Sequence, residues 1–220
     1  MNIHRACVLG NLERVKYLIE EKGVNVNDVN GKHQCTPLMT TIFSEGKIPV
    51  IRYLLEKGAS VNAVDSDEWT VLHYSANAIG ETVHRFKLLV DAGANVYARS
   101  VSGRTVLHMA VCVQNMNIVQ FILDHTLLDI NTKDRYAHTP LSETSDIVMI
   151  QYLIRRGANP YQVCAYRKAH PFVLYAQKTY RARVCVLVLM SAKRIPQLGA
   201  LSMIQILPTD LIRTLLSFFV

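Results

Sequence analysis

The sequence predicts an all-α solenoid of stacked helix-turn-helix units, and three observations carry that prediction. A Thr-x-Leu tetrapeptide recurs as TPLM at Thr36, TVLH at Thr70, TVLH at Thr105 and TPLS at Thr139, at separations of 34, 35 and 34 residues. Downstream of each lies an apolar segment at helical spacing: VIRYLLEKGASVN from Val50, RFKLLVDAGANVY from Arg85, IVQFILDHTLLDIN from Ile118 and MIQYLIRRGANPY from Met149. Gly58, Gly93 and Gly157 then stand where a left-handed helix cap is wanted. A fixed period of this size marks a repeat architecture. One such hairpin cannot bury its apolar faces alone, so neighbours must stack into a continuous core.

The elements follow in chain order. The first copy, IHRACVLGN and then RVKYLIEEKGVNVN from Arg14, lacks the opening tetrapeptide but keeps the second helix and Gly23. In later copies Thr before Pro or Val suits a helix start, because its hydroxyl can cap free N–H groups and Pro tolerates the first helical position. A short first helix follows, such as TVLHMAVCVQ. The second helix carries its apolar stripe on Ile51, Leu54 and Leu55, or on Phe86, Leu89 and Val90. Stretches such as SVNAVDSDEW supply a turn-rich connection to the next unit.

Taken together, TPLM…GASVNAVD, TVLHYSA…GANVYARS, TVLHMAV and TPLS…GANP resemble ankyrin repeats. The resemblance covers residues 1–163, in units of approximately 1–31, 32–66, 67–101, 102–135 and 136–163. It implies antiparallel helix pairs with projecting β-hairpin loops and a concave binding side. Residues 164–194, which include HPFVLYAQKTYRARVCVLVLMSAKR from His170, read as a degenerate sixth repeat or C-terminal cap. Residues 195–220 read as a tail with an amphipathic helix, completing a set of C-terminal capping helices. Three departures carry expectations. The Thr70 unit is two residues long around NAIGETVHR, so its inter-helix turn should bulge. The Thr105 unit has Thr126 in place of Gly, so its helix should end irregularly. The Thr139 unit is three residues short, so its first helix should be clipped.

Composition narrows the function. Five dispersed cysteines with no C-x-x-C argue against a disulfide framework or zinc site and suit reduced thiols. No leader-like apolar stretch opens the chain, and the longest apolar run, Val184 to Met190, falls well short of the about 20 residues needed to span a membrane. Of the eight histidines, His73 and His108 fall on the fourth tetrapeptide position, where the resemblance implies a hydrogen bond between neighbouring turns. The others, His138 among them, are dispersed. Phosphate loops, nucleophile motifs and paired carboxylates on a fixed element are not evident, and Asp65, Asp67 and Glu68 lack calcium-loop spacing. The expectation is a non-enzyme with no cofactor and no metal.

Surface is what remains. The resemblance places the residue before each tetrapeptide Thr on the concave side: Cys35, Trp69, Arg104 and His138. Positions after the first helix add Asn77, Ala78, Cys112 and Val113, and the next hairpin adds Arg135 and Tyr136. Trp69 is the only tryptophan, and Trp and Arg are over-represented at binding hot spots; the competing reading packs Trp69 on its own hairpin. The expected partner is a protein, bound by a monomer in the cytoplasm, with the nucleus, or the host-cell cytoplasm for a viral chain, as alternatives.

Two further readings concern the C-terminal third. In IQILPTDLIRTLLSFFV, Leu207, Leu211, Ile212, Leu215, Leu216 and Phe219 form a helical stripe after Pro208. This resembles the opening of an F-box and, faintly, the end of a SOCS box, as found after the repeats of viral ankyrin proteins. That resemblance implies docking to ubiquitin-ligase subunits as a substrate adaptor. From Gln151 onward ten Lys or Arg face one acid, a net +9 against −2 for the first 150 residues. Nucleic-acid or acidic-surface binding by this basic third is the other alternative.

Overall fold

In the computed structural model, which describes residues 2–44, 47–78 and 83–160, the helical hairpins follow from local signals in order. They are α1 (Ile3–Val8) with α2 (Leu12–Glu20), α3 (Pro37–Phe43) with α4 (Ile48–Glu56), α5 (Val71–Ala76) with α6 (Val83–Asp91), and α7 (Val106–Cys112) with α8 (Met116–His125). A fifth pair joins a 3-10 turn, Pro140–Glu143, to α9 (Ile147–Arg155). The expected clipping of the Thr139 unit therefore takes the form of one tight turn in place of a helix. These elements lie in one compact unit ending at Ala158. The bulge of the Thr70 unit falls largely on residues 79–82, and the sixth repeat, the basic region and the tail helix fall beyond 160; all lie outside the described residues.

Side-chain caps start most helices. Asn2, Asn11, Thr36, Asn115 and Asp146 each accept a hydrogen bond from the backbone N–H three residues on. After α4, α6 and α9 the amides of Ala59, Ala94 and Ala158 donate back to Leu54, Leu89 and Leu153 at 2.9–3.0 Å. The left-handed Gly58, Gly93 and Gly157 make that closure possible. At the end of α8, Thr126 is extended instead (φ −131°, ψ 159°), the irregular end expected from its lack of glycine.

First helices pack on first helices, α1 on α3 on α5 on α7 and then on the 3-10 turn, while α2 packs on α4 and α6 on α8. The apolar stripes meet between layers. Ile51, Leu54, Phe86, Leu89, Ile118 and Ile122 are fully buried. Each such side chain contributes about 1.5–3 kcal/mol relative to exposure.

The connecting loops turn as expected but with little strand character. Among the described residues the only β-bridge pairs Asn30 with Cys35, and in the later loops one backbone bond joins the two ends: Asp65 N to Trp69 O, Ser100 N to Arg104 O, and Asp134 N to His138 O. Neighbouring loops are joined by single bonds: Ser66 N to His33 O, Val101 N to Asp67 O, and Arg135 N to Ser102 O, all 2.9–3.0 Å. A side-chain clip reinforces the stack nearby. Asn27 spans to Gly58 O and Ser60 N, and Asn62 repeats this with Gly93 O and Asn95 N. Tyr97 takes the next Asn position, and its hydroxyl accepts the Leu127 N–H at 3.4 Å.

Candidate functional site

Each loop delivers one residue, immediately before the tetrapeptide Thr, to a face shared with the first helices. The delivery is built from the residue five positions before that Thr. Asp65 Oδ1 accepts the N–H groups of Asp67 and Trp69, and Asp134 Oδ1 those of Tyr136 and His138; Ser100 does the same more simply for Arg104 N. The turn then needs a left-handed residue, supplied by Gln34, Glu68, Gly103 and Ala137. Only Gly103 takes this conformation without cost, and a Cβ there would come within 3.1 Å of Arg135 N.

The histidines hold this edge in place. Nδ1 of His73 accepts the Thr70 N–H at 3.1 Å and lies 2.9 Å from the Thr70 hydroxyl, while Nε2 donates to Arg104 O at 3.2 Å. His108 makes the same bonds to Thr105 and to His138 O, at 3.2, 2.9 and 3.1 Å. His4, outside any tetrapeptide, bonds Thr40 Oγ1 and Asp28 O, both at 3.0 Å. Burial holds the pKa of all three below the ordinary histidine value, since a buried imidazolium loses hydration.

The side chains on the shared face divide into two groups. Toward the N-terminus they are aromatic: Trp69 and Tyr74 meet at 5.2 Å between ring centroids, and Phe43 packs edge-on to Tyr74 at 6.1 Å. Phe43 is 74% exposed, and Trp69 is half-buried. The Tyr74 hydroxyl donates to Asp65 Oδ2 at 2.5 Å and lies 3.5 Å from Cys35 Sγ. Burial, then the Asp65 carboxylate, pushes its pKa well above the ordinary tyrosine value. Toward the C-terminus the face is charged. Arg104 pairs with Glu143, and His138 Nδ1 lies 3.6 Å from Asp134 Oδ2 and 4.0 Å from Glu143 Oε1.

The sequence-selected residues divide accordingly. Cys35, Trp69, Arg104 and His138 are each half-buried at the end of their loop, and Trp69 both packs on its own unit, against His73 and Tyr74, and keeps partial exposure. Asn77 and Ala78 close α5 half-buried, with Ala78 O accepting from Asn115 Nδ2 at 3.4 Å. Cys112 is exposed at the end of α7 and Val113 is half-buried. Arg135 and Tyr136 are exposed, Tyr136 at 73%. Sequence reasoning missed Phe43, Tyr74 and Glu143. It also treated His138 as dispersed and saw no paired carboxylates; the fold corrects both, setting His138 between Asp134 and Glu143. The ligase-docking residues Leu207 to Phe219 lie outside the described residues. Among the described residues no helix is long and apolar enough to cross a membrane.

Known proteins share this pattern. Residues 3–99, 44–134 and 72–164 match a family model described as ankyrin repeats (3 copies), in overlapping windows. The chain is similar to alpha-latrocrustotoxin-Lt1a of Latrodectus tredecimguttatus, 25% identical over 71% of this chain and 12% of that protein. It is similar to human Rabankyrin-5, 30% identical over 48% of this chain and 10% of that protein. Palmitoyltransferase AKR1 of Lachancea kluyveri is 27% identical over 74% of this chain and 22% of its own length. The chain thus spans only a minor part of the length of these relatives.

Proposed function

The chain belongs to the ankyrin-repeat family, and from that premise we propose that it is a non-catalytic interaction module. It binds a protein partner on the concave face, where loop ends and first helices converge. The observation that carries this reading is the aromatic ledge of Phe43, Tyr74 and Trp69, partly exposed on a face whose joints are made by backbone and histidine groups. Large aromatic side chains held by neighbours lose little conformational entropy on binding and dominate interface energetics. The absence of catalysis is supported by the histidines themselves. His73 and His108 have both ring nitrogens engaged, leaving neither free to move a substrate proton. The transferase named for the Lachancea relative belongs to a protein of which this chain matches 22%.

Trp69 is the chain's single tryptophan, so its emission reports directly on the face. Partner capture with wild type, Trp69→Ala and Tyr74→Ala, each checked for helicity by circular dichroism, tests the reading. Trp69→Ala is expected to cost about 2 kcal/mol, roughly 30-fold in Kd, and partner addition should shift Trp emission. Unchanged affinity in both folded variants would overturn the assignment. A chain ending at Met203 keeps the partner on this reading and loses it if Leu207 to Phe219 do the docking.

A further inference from the structure

The loop before Thr139 repeats the loop before Thr70 with one exchange that changes its chemistry. In both, an Asp five residues ahead of the Thr spends Oδ1 on two backbone N–H groups. In the earlier unit Oδ2 is satisfied by the Tyr74 hydroxyl. Four residues after Thr139 the corresponding position is Glu143, an acceptor rather than a donor. Asp134, its side chain 2% exposed, has no counterpart of the Tyr74 bond at Oδ2 among the described residues, and that oxygen lies 3.6 Å from His138 Nδ1. Glu143 is pinned in the same manner. Arg104 takes Oε2, leaving Oε1 4.0 Å from that same Nδ1.

We propose that Asp134, His138 and Glu143 form a binding site for a divalent transition-metal ion, with Zn2+ as the best match. One ligand atom from each residue lies within 4.8 Å of the other two. Tetrahedral zinc bonds of about 2.0–2.2 Å set neighbouring donors about 3.3–3.6 Å apart, so contraction by about 1.5 Å or less completes the cradle. One imidazole nitrogen with two carboxylate oxygens suits zinc and its first-row neighbours. Each carboxylate is already oriented through its second oxygen, by backbone amides at Asp134 and by Arg104 at Glu143, the outer-shell support that holds a ligand in its binding pose. His138 is half-exposed, so the ion enters from the same face as the proposed partner, with water completing its coordination. The site does not depend on that partner.

The test titrates the full chain with Zn2+ by calorimetry and with Co2+ by its visible d–d absorption. Wild type is expected to bind one ion with saturation. His138→Ala should weaken that binding by at least about tenfold, since the loss of outer-shell support alone costs 10–100-fold. Glu143→Gln should do the same while circular dichroism stays native. His33→Ala, an exposed histidine on another loop, should bind as wild type does. No saturable binding by the folded wild type, or binding that His138→Ala and Glu143→Gln leave intact, overturns the site.

Discussion

Replacing His73 by Ala removes a fully buried ring that closes its own helix start and ties one unit to the next. The loss has three parts. The Thr70 N–H loses its acceptor in a buried position, which costs about 1–3 kcal/mol. Arg104 O keeps the Ser100 N–H but loses the imidazole donor, about 0.5–1.5 kcal/mol. The vacated ring volume adds on the order of 1–2 kcal/mol. Together these predict a destabilisation of about 2.5–6.5 kcal/mol, a large share of the 5–15 kcal/mol typical of a domain. Urea unfolding followed by circular dichroism measures it. Protonation provides a second reading of the same residue. The folded pKa of His73 is depressed, so between that value and the unfolded value of about 6.5 the unfolded chain binds more protons. Its stabilising contribution is complete above that window and is lost as pH falls through it. His4 and His108 share the direction. The unfolding free energy should therefore fall below about pH 6.5, by at most about 1.4 kcal/mol per pH unit for each histidine, and His73→Ala should flatten the slope. A loss under about 1 kcal/mol at pH 7.5, or a slope unchanged by the substitution, would refute the junction role.

Four other substitutions probe the stack. Gly103→Ala places a Cβ in a left-handed residue (φ 76°) and 3.1 Å from Arg135 N, and should cost about 2 kcal/mol in urea unfolding. Gly58→Ala, equally left-handed but facing open space, should cost about 1 kcal/mol, the difference being the loop-to-loop contact. Asn62→Ala removes the clip to Gly93 O and Asn95 N and, at an exposed site, should lower stability by about 1 kcal/mol. Ala137→Gly relieves a left-handed alanine (φ 62°) and should raise the melting temperature, its gain of up to about 1 kcal/mol trimmed by added unfolded-state entropy.

The stack was legible because its signals are local and repeated. Thr36, Thr70, Thr105 and Thr139 punctuate helix starts, Gly58, Gly93 and Gly157 punctuate ends, and the apolar stripes between them have one period. The clipped Thr139 unit and the glycine-free end at Thr126 were legible for the same reason, as departures from a spacing set by their neighbours. The face was less so. Tyr74 matters because Cys35 and Trp69 meet it, and Glu143 because Arg104 does, and Cys35 and Arg104 each lie 39 residues from their contact. Such pairings depend on how far one layer is displaced against the next, which no single unit encodes. One signal was available: the residue five positions before Thr70, Thr105 and Thr139 is Asp65, Ser100 or Asp134, each an acceptor suited to organising its loop. Aligning on that column brings Asp134 and His138 into the same turn. The hairpins carry little strand character, since each loop is held by one backbone bond between its ends and one within its turn, and among the described residues no ladder extends from it.

The residue before the tetrapeptide Thr serves the scaffold through its backbone: Trp69, Arg104 and His138 give their N–H groups to Asp65, Ser100 and Asp134, and the carbonyl is lent by Arg104 to His73 and by His138 to His108. What hangs from its Cα is not needed for that loan. Cys, Trp, Arg and His occupy the four places in turn, so evolution can rewrite the binding alphabet one letter at a time while the masonry that displays it stands unchanged.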